Sequence, residues 1–174
     1  MLIRREKPRD ADAVSAIISA AFRRGTEAPE PPEVELLERL RADRGWLARL
    51  SLVAVVDNAV VGHVVCTRGN VDDRPALGLG PISVLPDHQR TGVGHALMHA
   101  VLAAADAIDE PVVCVLGDPA FYRLFGFAVA YEFGILAPDP DWGSSFQARR
   151  LSSCPSRLTG TFCYASPFSE LGLV

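Results

Sequence analysis

Apolar residues along this chain repeat with two different periods, and together these periods predict both helices and strands. Spacings of three and four residues are typical of helices, whereas alternation or a short apolar run is typical of a strand. The predicted helices cover residues 10–22, 33–42, 92–107 and 118–125, with Asp10 or Asp12 and Asp118 as N-caps. The predicted strands cover residues 1–5, 51–56, 60–67, 77–84, 111–116, 127–133, 146–151 and 160–165. Because helices and strands interleave while hairpins also occur, the expected fold is α/β with a mixed, mostly antiparallel sheet.

The predicted strand 77–84 is interrupted by Gly78, Gly80 and Pro81. Glycine and proline within a strand suggest a bulge, or a point where a ligand or another backbone comes close. The segments 69–75 and 134–159 are rich in polar residues, glycine and proline, and they are predicted to be mostly loop.

Length and composition limit the class of protein. The 174 residues are expected to form one domain over 1–174, and 49% hydrophobic with 22% charged residues excludes an intrinsically disordered chain. A net charge of −4, from 17 basic and 21 acidic residues, offers no electrostatic footprint for nucleic acid or an anionic membrane. The N-terminus lacks the apolar core of a signal peptide, and no run approaches the roughly 18 apolar residues of a membrane helix. A cytoplasmic enzyme or binding module is therefore expected, with no nucleic acid and no membrane as partner.

The segment from Leu77 to Ala107 carries the chemistry that is visible in the sequence. Its strand, its loop Gln89-Arg90-Thr91-Gly92-Val93-Gly94 and its helix would let backbone N–H groups converge on a phosphate. A Walker A motif needs a lysine after glycine, and the only lysine of the chain is Lys7. A GxGxxG fingerprint also fits poorly, because Leu97 stands where its third glycine would be. The alternative without a ligand is a tight turn between strand and helix.

Three segments of the chain together match the motifs of one known family. They are ISVLPDHQRTGVGHALM (82–98), GDPAFYRLFGF (117–127) and IRREKPRDADAVSAIISAAF (3–22). In that order they resemble the acyl-CoA-binding motif, the tyrosine-bearing helix with its Gly-Phe strand start, and the first strand and helix of the GNAT family of N-acetyltransferases. The second motif and the tail are similar to a bacterial subgroup of predicted acetyltransferases. The resemblance covers the core 1–133, and residues 134–174 are expected to form a variable loop and a closing strand.

The resemblance implies an acetyl-CoA-dependent N-acetyltransferase with splayed central strands and flanking helices. The positions that match the backbone groups binding the pantetheine arm and the thioester carbonyl are Ile82, Ser83 and Val84. The positions that match the N–H groups binding the pyrophosphate are Arg90, Thr91, Gly92, Val93, Gly94 and His95. Glycine suits such a cradle, because a Cβ would hold the phosphate away. Donors near Val84 would also stabilise the oxyanion that forms when an amine attacks the thioester.

Tyr122 matches the family's frequent general acid, which would give a proton to the leaving CoA thiolate. A tyrosine with a pKa of about 10 holds its proton at neutral pH, and the alternative is that Tyr122 merely packs. The general base is not visible in the sequence, where His63 and Glu132 are candidates. His95 and His99 are four residues apart, but no third ligand is evident, so no metal is expected.

The resemblance also implies an amine acceptor, a small molecule or a protein, which the motifs do not identify. Four glutamates between the first two helices lie in the region that borders the acceptor site of the family: Glu27, Glu30, Glu33 and Glu35. They suggest a cationic acceptor, and a solvated loop is the alternative. A homodimer is compatible with the family, in which dimers are common. The alternative function is a non-catalytic acyl-CoA-binding or sensing module on the same fold, and Tyr122 favours the enzyme.

Overall fold

The computed structural model of the chain describes residues 1–23, 25 and 28–174. Within these residues the chain forms five α-helices and nine β-strands, joined by loops and short 3-10 turns. The helices are α1 (Ala11–Phe22), α2 (Pro32–Ala42), α3 (Val93–Asp106), α4 (Pro119–Tyr122) and α5 (Ser166–Glu170). The strands are β1 (Leu2–Arg5), β2 (Ser51–Val56), β3 (Ala59–Val71), β4 (Arg74–Val84), β5 (Val112–Leu116), β6 (Ala128–Val129), β7 (Ile135–Leu136), β8 (Phe146–Arg150) and β9 (Gly160–Cys163).

The strands form a sheet in the order β1-β2-β3-β4-β5-β8-β6, in which neighbours are hydrogen-bonded. β9 pairs with the far end of β3, and β7 pairs with β9. The pairs β4–β5 and β7–β9 are parallel, whereas the other pairs of the described strands are antiparallel. The mixed, mostly antiparallel sheet that the sequence predicts is confirmed.

Helices cover both faces of the sheet. Successive side chains of a strand point to opposite sides, so an apolar strand such as β3 has buried residues on each face. On one face, Leu97 and Val101 of α3 join a buried cluster with Val64 of β3. On the other face, Ile18 of α1 joins a separate cluster with Val65 of the same strand. None of the helices described is long and apolar enough to cross a membrane.

The centre of the sheet opens where β4 leaves β5. In the described chain these two strands pair only where Leu77 and Gly78 face Val113 and Cys114. Beyond this point β4 stays paired with β3, but the register shifts so that β4 carries one extra residue in the segment 80–81. The predicted bulge and the splayed central strands are therefore both present.

The segment 69–75 is not the loop that its polar composition predicts. β3 continues to Val71 and β4 begins at Arg74, so the two strands form a hairpin around Asp72. Val71 is fully buried and pairs with Phe162 of β9. A strand about ninety residues further along the chain therefore extends the sheet here. The residues around Val71 do not by themselves predict this pairing.

Two further local predictions need correction. Residues 127–133 were expected to form one strand, but only Ala128–Val129 pair with β8, and the chain then winds into a 3-10 turn that ends at Gly134. Asp10 precedes α1 without capping it, because its carboxylate accepts hydrogen bonds from the Lys7 N–H at 2.8 Å and from Arg4 at 2.9 Å. By contrast, Asp118 caps α4 as predicted.

Candidate functional site

The loop between β4 and α3 is held by hydrogen bonds of its own side chains. The Gln89 amide donates to the Val84 carbonyl at 3.1 Å, which fastens the loop to the end of β4. The Thr91 hydroxyl donates to the His88 carbonyl at 2.6 Å. The sequence therefore builds a fixed turn directly before the first residue of α3.

Backbone N–H groups are left free at the start of α3. Arg90 and Gly92 have positive φ values of 60° and 92°, and left-handed residues within such a turn form anion-binding concavities. No backbone carbonyl of the described residues accepts a hydrogen bond from the N–H groups of residues 90–95. The helix dipole adds partial positive charge, and the exposed Arg90 adds a full one. This end of α3 is therefore suited to bind an anion.

A groove of about 450 Å³ lies against this end of α3 and the last residues of β4. A Cβ on Gly92 would meet no atom within 4 Å, and a Cβ on Gly94 would come no closer than 3.8 Å to Val84. A side chain at either position would therefore project into open space, and packing does not require glycine there, although the positive φ of Gly92 favours it. Open space of this kind is what a diphosphate would need, because it must approach several backbone N–H groups closely.

The structure brings most of the predicted acyl-donor residues to this groove. Those that line it are Ile82, Ser83, Val84, Arg90, Gly92, Gly94 and His95. The Val93 side chain is buried in the α3 layer, and the Thr91 hydroxyl is bonded within the loop, so both can contribute through their backbone N–H groups. Phe22 and Phe121 also line the groove, although neither was predicted to do so.

A second cavity, of about 440 Å³, adjoins the groove at the bulge of β4. The two spaces share Phe22, Ile82 and Phe121 as lining residues. The walls of the second cavity come from α1, α2, the β4 bulge, the end of β5, α4 and the C-terminal segment. Hereafter the first space is called the groove and the second, after the role that we propose for it below, the acceptor cavity.

Tyr122 lines the acceptor cavity and not the groove. Its ring packs between Phe121 and Phe127, with ring centroids 5.1 and 5.6 Å away. A Cβ on Gly117 would overlap the Tyr122 ring, so a glycine directly before α4 makes room for this side chain. Burial raises the pKa of Tyr122 to about 12, so the hydroxyl keeps its proton at neutral pH.

The two candidate bases named from the sequence line neither space. His63 is completely buried, and its Nε2 lies 2.9 Å from the Ser51 hydroxyl and 3.3 Å from the Glu6 carboxylate. Burial lowers the pKa of His63 and outweighs the opposite effect of Glu6, so the ring is neutral at pH 7. Glu132 is exposed in the 3-10 turn after β6. Neither residue is placed to take a proton in these spaces.

The four glutamates before and within α2 differ in their surroundings. Glu27 lies outside the described residues. Glu30 pairs with Arg23 at 2.6 Å, and Glu35 pairs with an arginine one turn later in α2. Glu33 is half-buried and lines the acceptor cavity. In the part of the chain that the structure describes, its carboxylate has no ion-pair or hydrogen-bond partner.

Tyr164 and Phe168 also line the acceptor cavity, and the sequence did not point to them. Their rings pack at a centroid distance of 4.8 Å. The Tyr164 hydroxyl is buried, and burial raises its pKa well above the ordinary value against the smaller, opposite effect of a backbone hydrogen bond with Leu116. No periodicity or motif near positions 164–168 signals this role, because it arises from where the C-terminal segment packs.

His95 and His99 both pack against Phe125, each with ring centroids 5.2 Å apart. Within residues 1–23, 25 and 28–174, no group of three or more His, Cys, Asp or Glu side chains is placed to hold a metal ion.

Residues 14–127 match the family model described as the acetyltransferase (GNAT) family. The chain is also 33% identical over 174 residues to the uncharacterized N-acetyltransferase YhbS of Escherichia coli (strain K12), with 98% of this chain and 99% of that protein covered. These matches extend well beyond the three short segments that carry the resemblance.

Two solved structures resemble this one along nearly its whole length. The crystal structure of Escherichia coli YhbS in complex with CoA has a TM-score of 0.86 and 30% identity, covering 97% of this chain and 91% of that chain. A GNAT family acetyltransferase from Brucella melitensis in complex with acetyl-CoA has a TM-score of 0.75 and 30% identity, covering 96% and 97%. Nothing in these similarities favours a non-catalytic module. The chain therefore belongs to the GNAT family of acetyltransferases, and it is an enzyme of the N-acetyltransferase class.

Proposed function

We propose that this chain transfers the acetyl group of acetyl-CoA to a primary amine, by direct attack of the amine in a ternary complex. The observation that carries the proposal is that two different spaces adjoin at the bulge of β4 and share lining residues. The groove, with its free N–H groups, suits the anionic part of an acyl donor, and the acceptor cavity holds Tyr122. They share Ile82 and Phe121, so donor and acceptor would meet where β4 leaves β5.

The groove residues would hold the donor. The pyrophosphate would bind to the N–H groups of residues 90–95 and to the Arg90 guanidinium. The pantetheine arm would bind to the backbone of residues 82–84 of β4, which are not paired with β5. Acetyl-CoA itself supplies an activated thioester. The CoA and acetyl-CoA bound by the two similar structures support this assignment.

Tyr122 would donate a proton to the leaving thiolate. Its side chain lines the cavity that adjoins the groove, and its pKa of about 12 keeps the phenol protonated throughout the physiological range. A general acid of this kind contributes about 10²- to 10⁴-fold to a rate. Because burial, with smaller contributions from Cys66 and Asp118, raises the pKa of Tyr122, we expect no ionisation of Tyr122 between pH 6 and 9.

The test is release of CoA from acetyl-CoA, measured with and without a panel of primary amines. Amine-dependent release, with the acetylated amine identified by mass spectrometry, would support the proposal. A rise in melting temperature with CoA but no release with any amine would contradict it and favour the acyl-CoA-binding alternative. For scale, ligand at 100 times Kd adds about 2.7 kcal/mol of stability. The cytoplasmic location and the homodimer stay predictions from the sequence.

A further inference from the structure

The acceptor cavity combines apolar walls with a small set of polar groups. Phe22, Leu36, Leu79, Phe121 and Phe168 are among its lining residues. Its volume of about 440 Å³ lies within the range of about 300–1,000 Å³ that is typical of small-molecule sites. Part of this space must also admit the thioester, so a compact apolar group fits the remainder.

The charged side chains among the described lining residues of this cavity are of one sign. Glu33 and Asp118 line it, and no Arg, Lys or His does so among the described residues. One Asp118 oxygen accepts the Ala120 N–H at 2.8 Å as the cap of α4. Glu33 has no such partner in the described structure and is half-buried beside apolar side chains. A partly desolvated carboxylate of this kind favours a cation next to it.

Tyr164 belongs to the same wall of the cavity. Its side chain is only 8% exposed, and its hydroxyl is buried next to the backbone of Leu116, so the hydroxyl is not accessible to a ligand. Its ring packs on that of Phe168 at a centroid distance of 4.8 Å, and the two rings extend the apolar surface that faces the second substrate.

We propose that the acceptor is a small apolar primary amine without an acidic group, whose ammonium is bound by Glu33. This inference rests on the proposed function, because it assigns the second substrate of the same reaction. An α-amino acid of equal apolar size is disfavoured, because its carboxylate would lie near Glu33 and Asp118, and none of the described lining residues is an arginine or lysine that could pair with it. Like charges placed together in this way cost several kcal/mol. A very polar amine is disfavoured, because it has no apolar group to pack against the apolar side chains that line the cavity.

Matched pairs of amines test the inference. We would measure CoA release with 2-phenylethylamine against phenylalanine, with pentylamine against norleucine, and with ethanolamine as a polar amine. Within each pair the two compounds differ by one carboxylate. The expected kcat/KM is at least about tenfold higher for the compound without the carboxylate. Among the three amines that lack a carboxylate, ethanolamine is expected to be the poorest substrate.

The variant Glu33→Gln tests the anchor, and Glu38→Gln, an exposed position on the same helix, is its control. Glu33→Gln is expected to raise the KM for 2-phenylethylamine about tenfold while the KM for acetyl-CoA stays unchanged. Glu38→Gln is expected to change neither constant. An unchanged KM for the amine in Glu33→Gln would overturn the role of Glu33.

Failure of the inference differs from failure of the proposed function. If phenylalanine, norleucine or ethanolamine is acetylated better than the apolar amines, the inference is wrong and acetyl transfer stands. If these amines, a peptide mixture and polyamines all give no CoA release while acetyl-CoA still raises the melting temperature, the proposed function itself is wrong.

Discussion

The groove and the acceptor cavity are adjacent, but they are built in different ways. The predicted acyl-donor residues of the groove come from one short stretch, residues 82–95, and the features that suit it to a phosphate are backbone N–H groups. The acceptor cavity is built from side chains as far apart in sequence as Phe22, Glu33 and Phe168. The first is a property of a strand–loop–helix unit, whereas the second requires the complete fold.

This difference explains why the donor is easier to assign than the acceptor. A backbone cradle tolerates changes in neighbouring side chains, because the N–H groups remain after a substitution. A cavity of side chains changes its shape and charge with each residue in its wall. Related folds can therefore share a donor and differ in their acceptors.

If the two spaces have separate roles, a change in the acceptor cavity should alter turnover and leave donor binding intact. Tyr122→Phe is expected to lower kcat about 100-fold, because it removes the proton donor but keeps the ring between its aromatic neighbours. Steady-state kinetics and calorimetric titration with acetyl-CoA would measure the two effects.

Two other tyrosines serve as references for this variant. Tyr131 is 75% exposed and lines neither the groove nor the acceptor cavity, so Tyr131→Phe is expected to behave like the wild type. A loss of turnover in Tyr164→Phe, with normal turnover in Tyr122→Phe, would indicate that the proton donor lies in the C-terminal segment. That result would contradict the role of Tyr122.

The opposite pattern is expected for a change in the groove. Gly94→Ala should raise the Kd for acetyl-CoA about tenfold, because a methyl group would enter the open space at the start of α3 where we propose that the pyrophosphate binds. The same change should stabilise the ligand-free protein by about 0.5–1 kcal/mol, since alanine is the better helix former. Titration calorimetry and thermal melts without ligand would measure both quantities.

A weaker donor complex in a more stable protein would show that Gly94 serves the ligand and not the fold. If acetyl-CoA binds Gly94→Ala as tightly as the wild type, the cradle does not lie over this residue. The KM of the amine is expected to stay unchanged, which separates this variant from those of the acceptor cavity.

A change outside both spaces should affect stability alone. Burial would by itself raise the pKa of Glu6, but hydrogen bonds from His63 and Ser51 and the charge of Arg41 outweigh burial and lower it from 4.5 to about 2. The folded state therefore favours the carboxylate, and this stabilisation is present above about pH 4.5 and is lost as the pH falls towards 2.

Glu6→Gln is expected to lower the free energy of unfolding by about 1 kcal/mol at pH 7, since the amide can still accept a hydrogen bond from Ser51. The difference from the wild type should shrink as the pH falls below 4.5, and kcat at pH 7 should not change. Chemical denaturation at several pH values would measure this, and a difference independent of pH would contradict the assigned ionisation.

Much of the local structure could be predicted because it depends on neighbouring residues. The cap of α4 by Asp118 and the turn before α3 are formed by side chains that reach backbone groups within five positions. The interruption of β4 by Gly80 and Pro81 likewise predicted its bulge correctly. Such interactions are encoded in short windows, so their pattern in the sequence is sufficient.

Other features could not be predicted, because their cause lies far along the chain. The segment 69–75 is polar, yet Val71 is buried since β9 pairs with it. His63 was a candidate base, but Glu6 and Ser51 hold it in the interior on the far side of its strand from α3. In both cases a partner at least twelve residues away decides the outcome, and no local window contains it.

The amino-acid sequence by itself determined the periodicity of the main helices and strands, the family and the region of the donor cradle, because each depends on a contiguous run of residues. The tertiary structure decided which spaces adjoin and which side chains face them. It paired Glu30 and Glu35 with arginines, left Glu33 in the acceptor cavity and brought Tyr164 to the same wall. The physical reason is that burial and charge pairing depend on distances in space, whereas the sequence records only distances along the chain.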